Sequence, residues 1–404
     1  MLSYNDLVYA GISNVIGAGI FVIISYVYKF AGAHTWISVL LAGLFMSIFA
    51  EHYAKIPEII KNDKDVHLEF DIINRISNPK IASGFIYMAV IGLIFSTYLV
   101  SKSFGNYLND MIPQISDRLG SLIIISICYI LNRLGIDHVA KWNNVILLFG
   151  LGILTLLILI GFYRIFTDNY GKEFFLESIN PKNIKNNFFQ IIKGAYMIIF
   201  SYVGFELLVK LNSDSINPQT DIPKAIRTTI VITIIIYTLL GFVYSYAISK
   251  REKENKNKTL LKQEQEQEHN NTLIEDTKNI IYDTHRIEFD EEIDHKNEAP
   301  LTYAMEILTD NKKISPIIDI GGVIFTATTT LLMMLSATKL LGGQIDKLNQ
   351  TNSNLSLNIV LAGVILLLIT NISIQNSTII ANICIVLLMI VVSYAVIKIR
   401  HKLL

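Results

Sequence analysis

Two short stretches put hydrogen-bonding groups where an apolar span offers them no partner. The first is Ile16-Gly17-Ala18-Gly19, within Gly11-Ile12-Ser13-Asn14-Val15-Ile16-Gly17-Ala18-Gly19-Ile20-Phe21. The second is Phe200-Ser201-Tyr202-Val203-Gly204-Phe205-Glu206, a polar, glycine-containing patch in apolar sequence. Glycine is a poor helix former. A helix interrupted at mid-membrane frees N–H and C=O groups that lipid cannot satisfy, a state tolerated where they line a polar cavity. Freed amides at the positive end of a half-helix can hold a carboxylate, and freed carbonyls can hold a cation. For the first stretch alone, close helix–helix packing through small residues is an equal alternative. A dinucleotide fingerprint fits poorly, because Val22 stands where its last glycine belongs and no βαβ pattern surrounds it.

The elements that carry these stretches are membrane spans. Of the 404 residues 52% are hydrophobic and 17% charged, and the mean hydropathy is +0.46, the profile of a polytopic membrane protein. Basic and acidic residues balance at 34 each, which gives nucleic acid no electrostatic footing. Cys128 and Cys384 both lie in apolar sequence, so no disulfide framework is expected. The N-terminus carries Asp6 and no basic n-region, so the first span is expected to act as its own targeting signal. Apolar stretches of spanning length occur at 5–29, 34–54, 82–107, 119–135 and 141–163, then at 187–211, 226–248, 316–341, 357–373 and 376–398. The reading is ten spans in two sets of five, with a break in the first span of each set. Interrupted segments at corresponding places in two halves are the best sequence pointer to a transporter binding site.

Ten spans put both termini on one side. With the N-terminus cytoplasmic, fifteen Lys/Arg fall inside and ten outside, leaving out residues 250–298; the positive-inside rule therefore selects cytoplasmic termini. Residues 249–298 are expected to form a hydrophilic, disordered external insertion between spans 1–7 (residues 1–248) and spans 8–10 (residues 299–404). Its run Lys262-Gln263-Glu264-Gln265-Glu266-Gln267-Glu268 is low in complexity and cannot bury a core. Asn257-Lys258-Thr259 and Asn270-Asn271-Thr272 match glycosylation sequons, which matter only in a secretory lumen.

These residues resemble the amino acid–polyamine–organocation (APC) superfamily of permeases. Ile16-Gly17-Ala18-Gly19-Ile20-Phe21 is similar to its IG(S/A)GIF segment. Ala50-Glu51-His52-Tyr53-Ala54-Lys55-Ile56-Pro57 resembles the end of its span 2, and Leu131-Asn132-Arg133-Leu134-Gly135-Ile136 the turn after span 4. The longest likeness runs from Phe200 to Glu206 and on through Asn217-Pro218 and Ile222-Pro223-Lys224-Ala225-Ile226. Ala299-Pro300-Leu301 resembles the segment before span 8. The resemblance implies an all-α polytopic membrane protein with a LeuT-like 5+5 inverted repeat, moving an amino acid or related amine by alternating access. Three departures stand out. Many members carry two further spans where this chain ends at Leu404, Ser213-Asp214 replaces a usual Glu-Glu, and Gly150 stands where many proton-coupled members have a lysine.

On this reading the Gly17–Gly19 amides receive a substrate carboxylate, and the carbonyls of Phe200, Ser201 and Val203 receive its ammonium. Gly204 completes the second break. Tyr202 is either an aromatic gate, a cation–π face or ordinary packing. Glu206 is expected to brace the break by accepting backbone donors or to pair with Lys210, ahead of touching substrate. Thr328 and Thr329, with Thr326 and Thr330, either offer hydroxyls to a coupling cation or bond their own helix carbonyls. Asp319 is expected to be solvated at the outer end of span 8. Gly150 cannot titrate, which leaves sodium in the vacated space or no ion coupling, and exchange or facilitated diffusion is favoured. Partners are then the bilayer, a small amine or amino acid and at most a coupling ion, with no cofactor and no metal. No H-E-x-x-H, G-x-S-x-G, P-loop or Cys/His cluster points to an enzyme. The rival function is a permease-like sensor or accessory protein that binds without transport. A channel is disfavoured, since no span shows a charged pore-lining pattern.

Overall fold

A computed structural model describes residues 1–59, 68–134, 139–212, 215–269, 299–311, 315–346 and 353–403. These residues are almost entirely helical, and among them the β contact is a single parallel bridge, Leu2 with Ser215. Helix is what apolar sequence must form in lipid, because it satisfies each backbone group within its own segment. Among the described residues seven stretches are long and apolar enough to cross a membrane. They are Gly19–Ile59, Pro79–Met111, Leu147–Thr167, Phe188–Val209, Pro218–Thr259, Pro316–Ile345 and Ile374–Lys402.

In chain order the helices are α1 (Tyr4–Val15), α2 (Ala18–Ala31), α3 (Thr35–Tyr53), α4 (Ile56–Ile59), α5 (Leu68–Asn74), α6 (Pro79–Met111), α7 (Asp117–Leu134) and α8 (Val139–Thr167). Then come α9 (Asn169–Ser178), α10 (Pro181–Asn186), α11 (Phe188–Ile198), α12 (Pro218–His269), α13 (Pro300–Thr309), α14 (Ser315–Asp346), α15 (Ser353–Thr370) and α16 (Ile374–Leu403). The 119–135 and 357–373 stretches, both short, form α7 and α15 and are not among the seven. Helix α6 packs against α14, α16 and α7, while α12 packs against α3 and α1. On α16, Ile383, Leu387, Ile390, Tyr394 and Ile397 are all exposed at spacings of three and four. One helix face is thus apolar and outward, the pattern expected where lipid is the solvent.

The hydrophilic segment from residue 249, expected to be disordered, begins as helix. Helix α12 carries straight on to His269. Composition misled because it measures core burial, and this segment needs none. It extends a helix already nucleated by its apolar part, with Lys, Glu and Gln, all good helix formers. Residues 270–298 lie outside the described residues.

Side chains tether this extension to α9. Asp168 accepts from the Tyr246 hydroxyl at 2.6 Å and from Lys250 Nζ at 2.7 Å. Lys253 pairs with Glu173 and lies 4.7 Å over the Tyr170 ring. Tyr28, at the end of α2, donates to Glu252 at 2.9 Å. Burial pushes the Asp168 carboxyl up, but hydrogen bonds from Lys250 and Tyr246, with the charges of Lys250 and Arg164, outweigh it and hold the group below the usual carboxylate range. A lowered folded pKa stabilises above the unfolded value and is lost as pH falls through the folded one. Thermal unfolding of the wild type should therefore show no change from this group between about pH 7 and 5, where its stabilisation is fully present, and a loss below about pH 4. Asp168→Asn should lower the midpoint at neutral pH and flatten that acid limb; an unchanged midpoint at neutral pH would show that the tether carries no stability.

Candidate functional site

The first span is broken where its glycines stand. Helix α1 ends at Val15, Ile16 leaves the helical region (φ −77°, ψ 69°), and α2 starts at Ala18 after Gly17 (φ −109°, ψ −147°). The Gly17 N–H turns back onto the Val15 carbonyl at 2.8 Å. That carbonyl also accepts from the Tyr237 hydroxyl of α12 at 2.9 Å. The N-terminus of α2 has no side-chain cap, so its positive end faces the protein interior.

The sixth span unwinds more gradually. After α11 come a 3-10 turn at Ile199–Tyr202, an extended Val203 and a second 3-10 segment at Phe205–Leu211. The hinge is Gly204, at φ +131°. A Cβ there would lie 2.6 Å from the carbonyl oxygen of Asn14, so both conformation and space demand glycine. Its N–H donates to Glu206 Oε2 at 2.8 Å.

The two breaks lie against each other. A Cβ on Gly19 would stand 2.5 Å from the Ser201 Cα and 2.7 Å from its Oγ, and one on Gly17 would stand 2.3 Å from Thr329 Oγ1. Ser201 Oγ is buried with no hydrogen-bond partner among the described residues. Ile16 and Phe200 are buried beside it. The start of α2, which has no side-chain cap, therefore meets the buried Ser201 hydroxyl inside the bundle, while the Gly17 N–H and the Phe200 carbonyl are bonded to the Val15 carbonyl and the Val203 N–H. That chemistry suits a small zwitterion or amine.

Other residues singled out in the sequence fall elsewhere. Tyr202 is fully buried, donates to the Val39 carbonyl at 2.9 Å and packs edge-on against Tyr237 at 5.2 Å, which is the packing alternative. The threonines separate. Thr329 sits beside Gly17, but Thr328 donates to Ile324 and Phe325 carbonyls, both at 3.0 Å, and Thr326 and Thr330 likewise bond their own helix. No vacated space adjoins Gly150, because a Cβ there would lie 1.9 Å from the Phe325 ring. The Phe325 ring occupies the space beside Gly150. Asp319, expected to be solvated, is only 3% exposed and accepts from Thr302, since α13 packs over the start of α14. The side chain of Lys210 and all of Ser213-Asp214 lie outside the described residues, as does the Asn270 sequon.

Sequence reasoning missed three residues near the breaks. Tyr237 covers a carbonyl freed by the first break, and nothing in its sequence context sets it apart from eighteen other tyrosines. Glu69 lies on α5, beside a charged loop, yet is 3% exposed. Tyr53 is fully buried at the end of α3. Both line a cavity of about 50 Å³ that Asn14, Val203, Gly204, Glu206 and Thr329 also line, so it opens directly beside the second break.

The sequence profile of the amino acid permease family matches residues 2–263. A methylthioribose transporter of Bacillus subtilis is 27% identical over 259 residues, which cover 60% of this chain and 54% of that protein. The branched-chain amino acid permease BcaP of Lactococcus lactis is 21% identical over 265 residues, 60% of this chain and 55% of its own. The chain thus spans about half the length of these curated relatives. Among solved structures, a mutant manganese transporter of Eremococcus coleocola superposes with a TM-score of 0.55 at 8% identity, covering 95% of this chain and 76% of that one. That likeness concerns fold alone, and it extends over spans beyond the profile match. Both broken spans lie inside the matched residues, and the chain belongs to the amino acid permease family of the APC superfamily.

Proposed function

We propose that this chain is a multi-pass permease that moves amino acids or related amines by alternating access. Its ten spans would form a LeuT-like 5+5 inverted repeat with both termini cytoplasmic. What supports the repeat is the position of the breaks, in the first helix of each five-helix set, 4–31 and 188–211. The observation that carries the function is the contact of Gly19 with Ser201, where two unwound segments meet around a buried hydroxyl. The amides around Gly17, Ala18 and Gly19 would take the substrate carboxylate, and the carbonyls of Phe200, Ser201 and Val203 its ammonium. Glu206 would hold the hinge through the Gly204 N–H. Phe325 seated on Gly150 supports transport without a titrating group in span 5, by exchange or facilitated diffusion.

The test is uptake by vesicles reconstituted with the purified chain and loaded with unlabelled amino acid. Labelled uptake should saturate, proceed without a proton or sodium gradient, and lose about tenfold in apparent affinity in Ser201→Ala, the worth of one good hydrogen bond. Ligand-dependent thermal stabilisation with no uptake would instead identify a sensor. Collapse of uptake on dissipating the proton gradient alone would overturn the reading from Gly150.

A further inference from the structure

The cavity beside the second break holds a set of oxygen donors that the amide site does not use. Glu69 comes from α5, Glu206 from the segment after Gly204, Tyr53 from the end of α3, Asn14 from the end of α1, and Thr329 and Ser336 from α14. Five separate elements therefore converge on one volume of about 50 Å³. That is room for a small ion with a water or two, and well short of sites that enclose drug-sized ligands. The remaining wall is largely aliphatic, with Leu332, Met333 and Leu388 among its residues.

Tyr53 is the observation that points to a ligand. Its ring packs edge-on against Phe205 at 5.8 Å and is fully buried. Its hydroxyl has no hydrogen-bond partner among the described residues, and both Glu69 and Glu206 lie close enough to act on it through their charge. A buried polar group without a partner costs free energy that a bound ligand recovers. A phenol oxygen facing two carboxylates is arranged to accept from or coordinate a positive charge. Among the described residues no three His, Cys, Asp or Glu side chains converge as a metal site would need. Carboxylate, phenol and amide oxygens are the donors a hard cation takes, and with one of the two carboxylates already accepting the Gly204 N–H the set suits a single positive charge.

We infer that this inner cavity binds a monovalent cation, an alkali ion or a primary ammonium group, between Glu69 and Glu206 with the Tyr53 hydroxyl as a further ligand. Glu206 also holds the Gly204 N–H, so the cation ties α5 to the hinge of the sixth span. The inference rests on the cavity and not on the transport reading. Its test reads binding, so a chain that fails to transport can still satisfy it.

The experiment is thermal unfolding of the purified full chain in sodium, potassium, methylammonium or choline chloride, at equal ionic strength and fixed neutral pH. Choline is too large for the cavity and serves as the reference. A saturable rise in midpoint with sodium or potassium assigns an inorganic ion, and a rise with methylammonium alone assigns the ammonium of an amine. Glu69→Gln should abolish the rise, and Tyr53→Phe should weaken the apparent affinity about tenfold. If Glu69→Gln does not fold, Tyr53→Phe, which keeps the ring against Phe205, carries the test by itself. Equal midpoints in all four salts would overturn the inference, as would a rise that persists unchanged in the variants. A midpoint that responds to pH while ignoring the salts would show that the two carboxylates share a proton instead.

Discussion

Gly19→Val is expected to abolish ligand-dependent thermal stabilisation and to lower the melting midpoint even without ligand. The first effect follows from the place of the side chain, which would cover the amides at the start of α2. The second follows from what it would strike. A Cβ at Gly19 meets the Ser201 Cα at 2.5 Å, and that atom is backbone. A side chain in the way can rotate, but a backbone atom moves only if the two unwound segments part. Overpacking of this kind costs about 1–3 kcal/mol where side chains yield, and here the cost lies at or above that range. Gly19→Ala should already show most of it, since the first carbon makes the clash. Trimming the partner in Ser201→Gly should restore nothing, because the Cα remains. The measurement is a thermal-shift titration with the preferred amino acid, and wild-type affinity in Gly19→Ala would remove the amides from the site.

Gly150→Lys is the opposite case, a clash that can be relieved. Its Cβ would stand 1.9 Å from Cε2 and Cζ of Phe325, so the single variant is expected to be severely destabilised. The obstacle is the end of a side chain, so Phe325→Ala should make room. Alone, Phe325→Ala leaves a cavity beneath Phe21, whose ring centroid lies 5.2 Å away, at a cost of about 3–5 kcal/mol. Combined, the two changes should be less harmful than their sum, with a coupling of about 1–3 kcal/mol in a double-mutant cycle. Additive midpoints would mean that the ring and the glycine do not exclude one another. The pair also bears on coupling. A lysine at position 150 can enter this bundle only if residue 325 is small, so the two positions are best considered together when related chains are compared.

The breaks were legible in the sequence because they are local. Gly17 and Gly19 interrupt an apolar run, and a Ser-Tyr-Val-Gly stretch followed by Glu206 interrupts another, so a failure of helix can be read from residue type alone. Their pairing followed from the order of the apolar stretches, since one break opens each set of five. What the sequence did not disclose is which groups meet across the bundle. Tyr237 and Tyr202 both donate to freed or neighbouring carbonyls, but a tyrosine's partner depends on the spacing between helices, which no periodicity encodes. Glu69 is buried because α5 packs against α6 and α16, a contact between distant segments that no local pattern announces. Phe325 looked like any core aromatic until Gly150 was seen beneath it. The helix over residues 249–269 was not legible for a different reason: low complexity argues against a core, and a helix that extends one already formed has no need of its own.

This hydrophilic extension gives α12 unusual reach. Fifty-two residues at 1.5 Å each make a rod of about 78 Å, more than twice the thickness of a bilayer's hydrocarbon core. The Lys253–Glu173 pair ties it to α9, and sixteen more residues, from Glu254 to His269, continue the helix for about 24 Å past that point. Over that length a tilt of about 5° at the Lys253 tether would swing the helix end by about 2 Å. Rearrangements that are small inside the bundle would thus be magnified along the helix, at a place where a probe can be attached without touching the site itself.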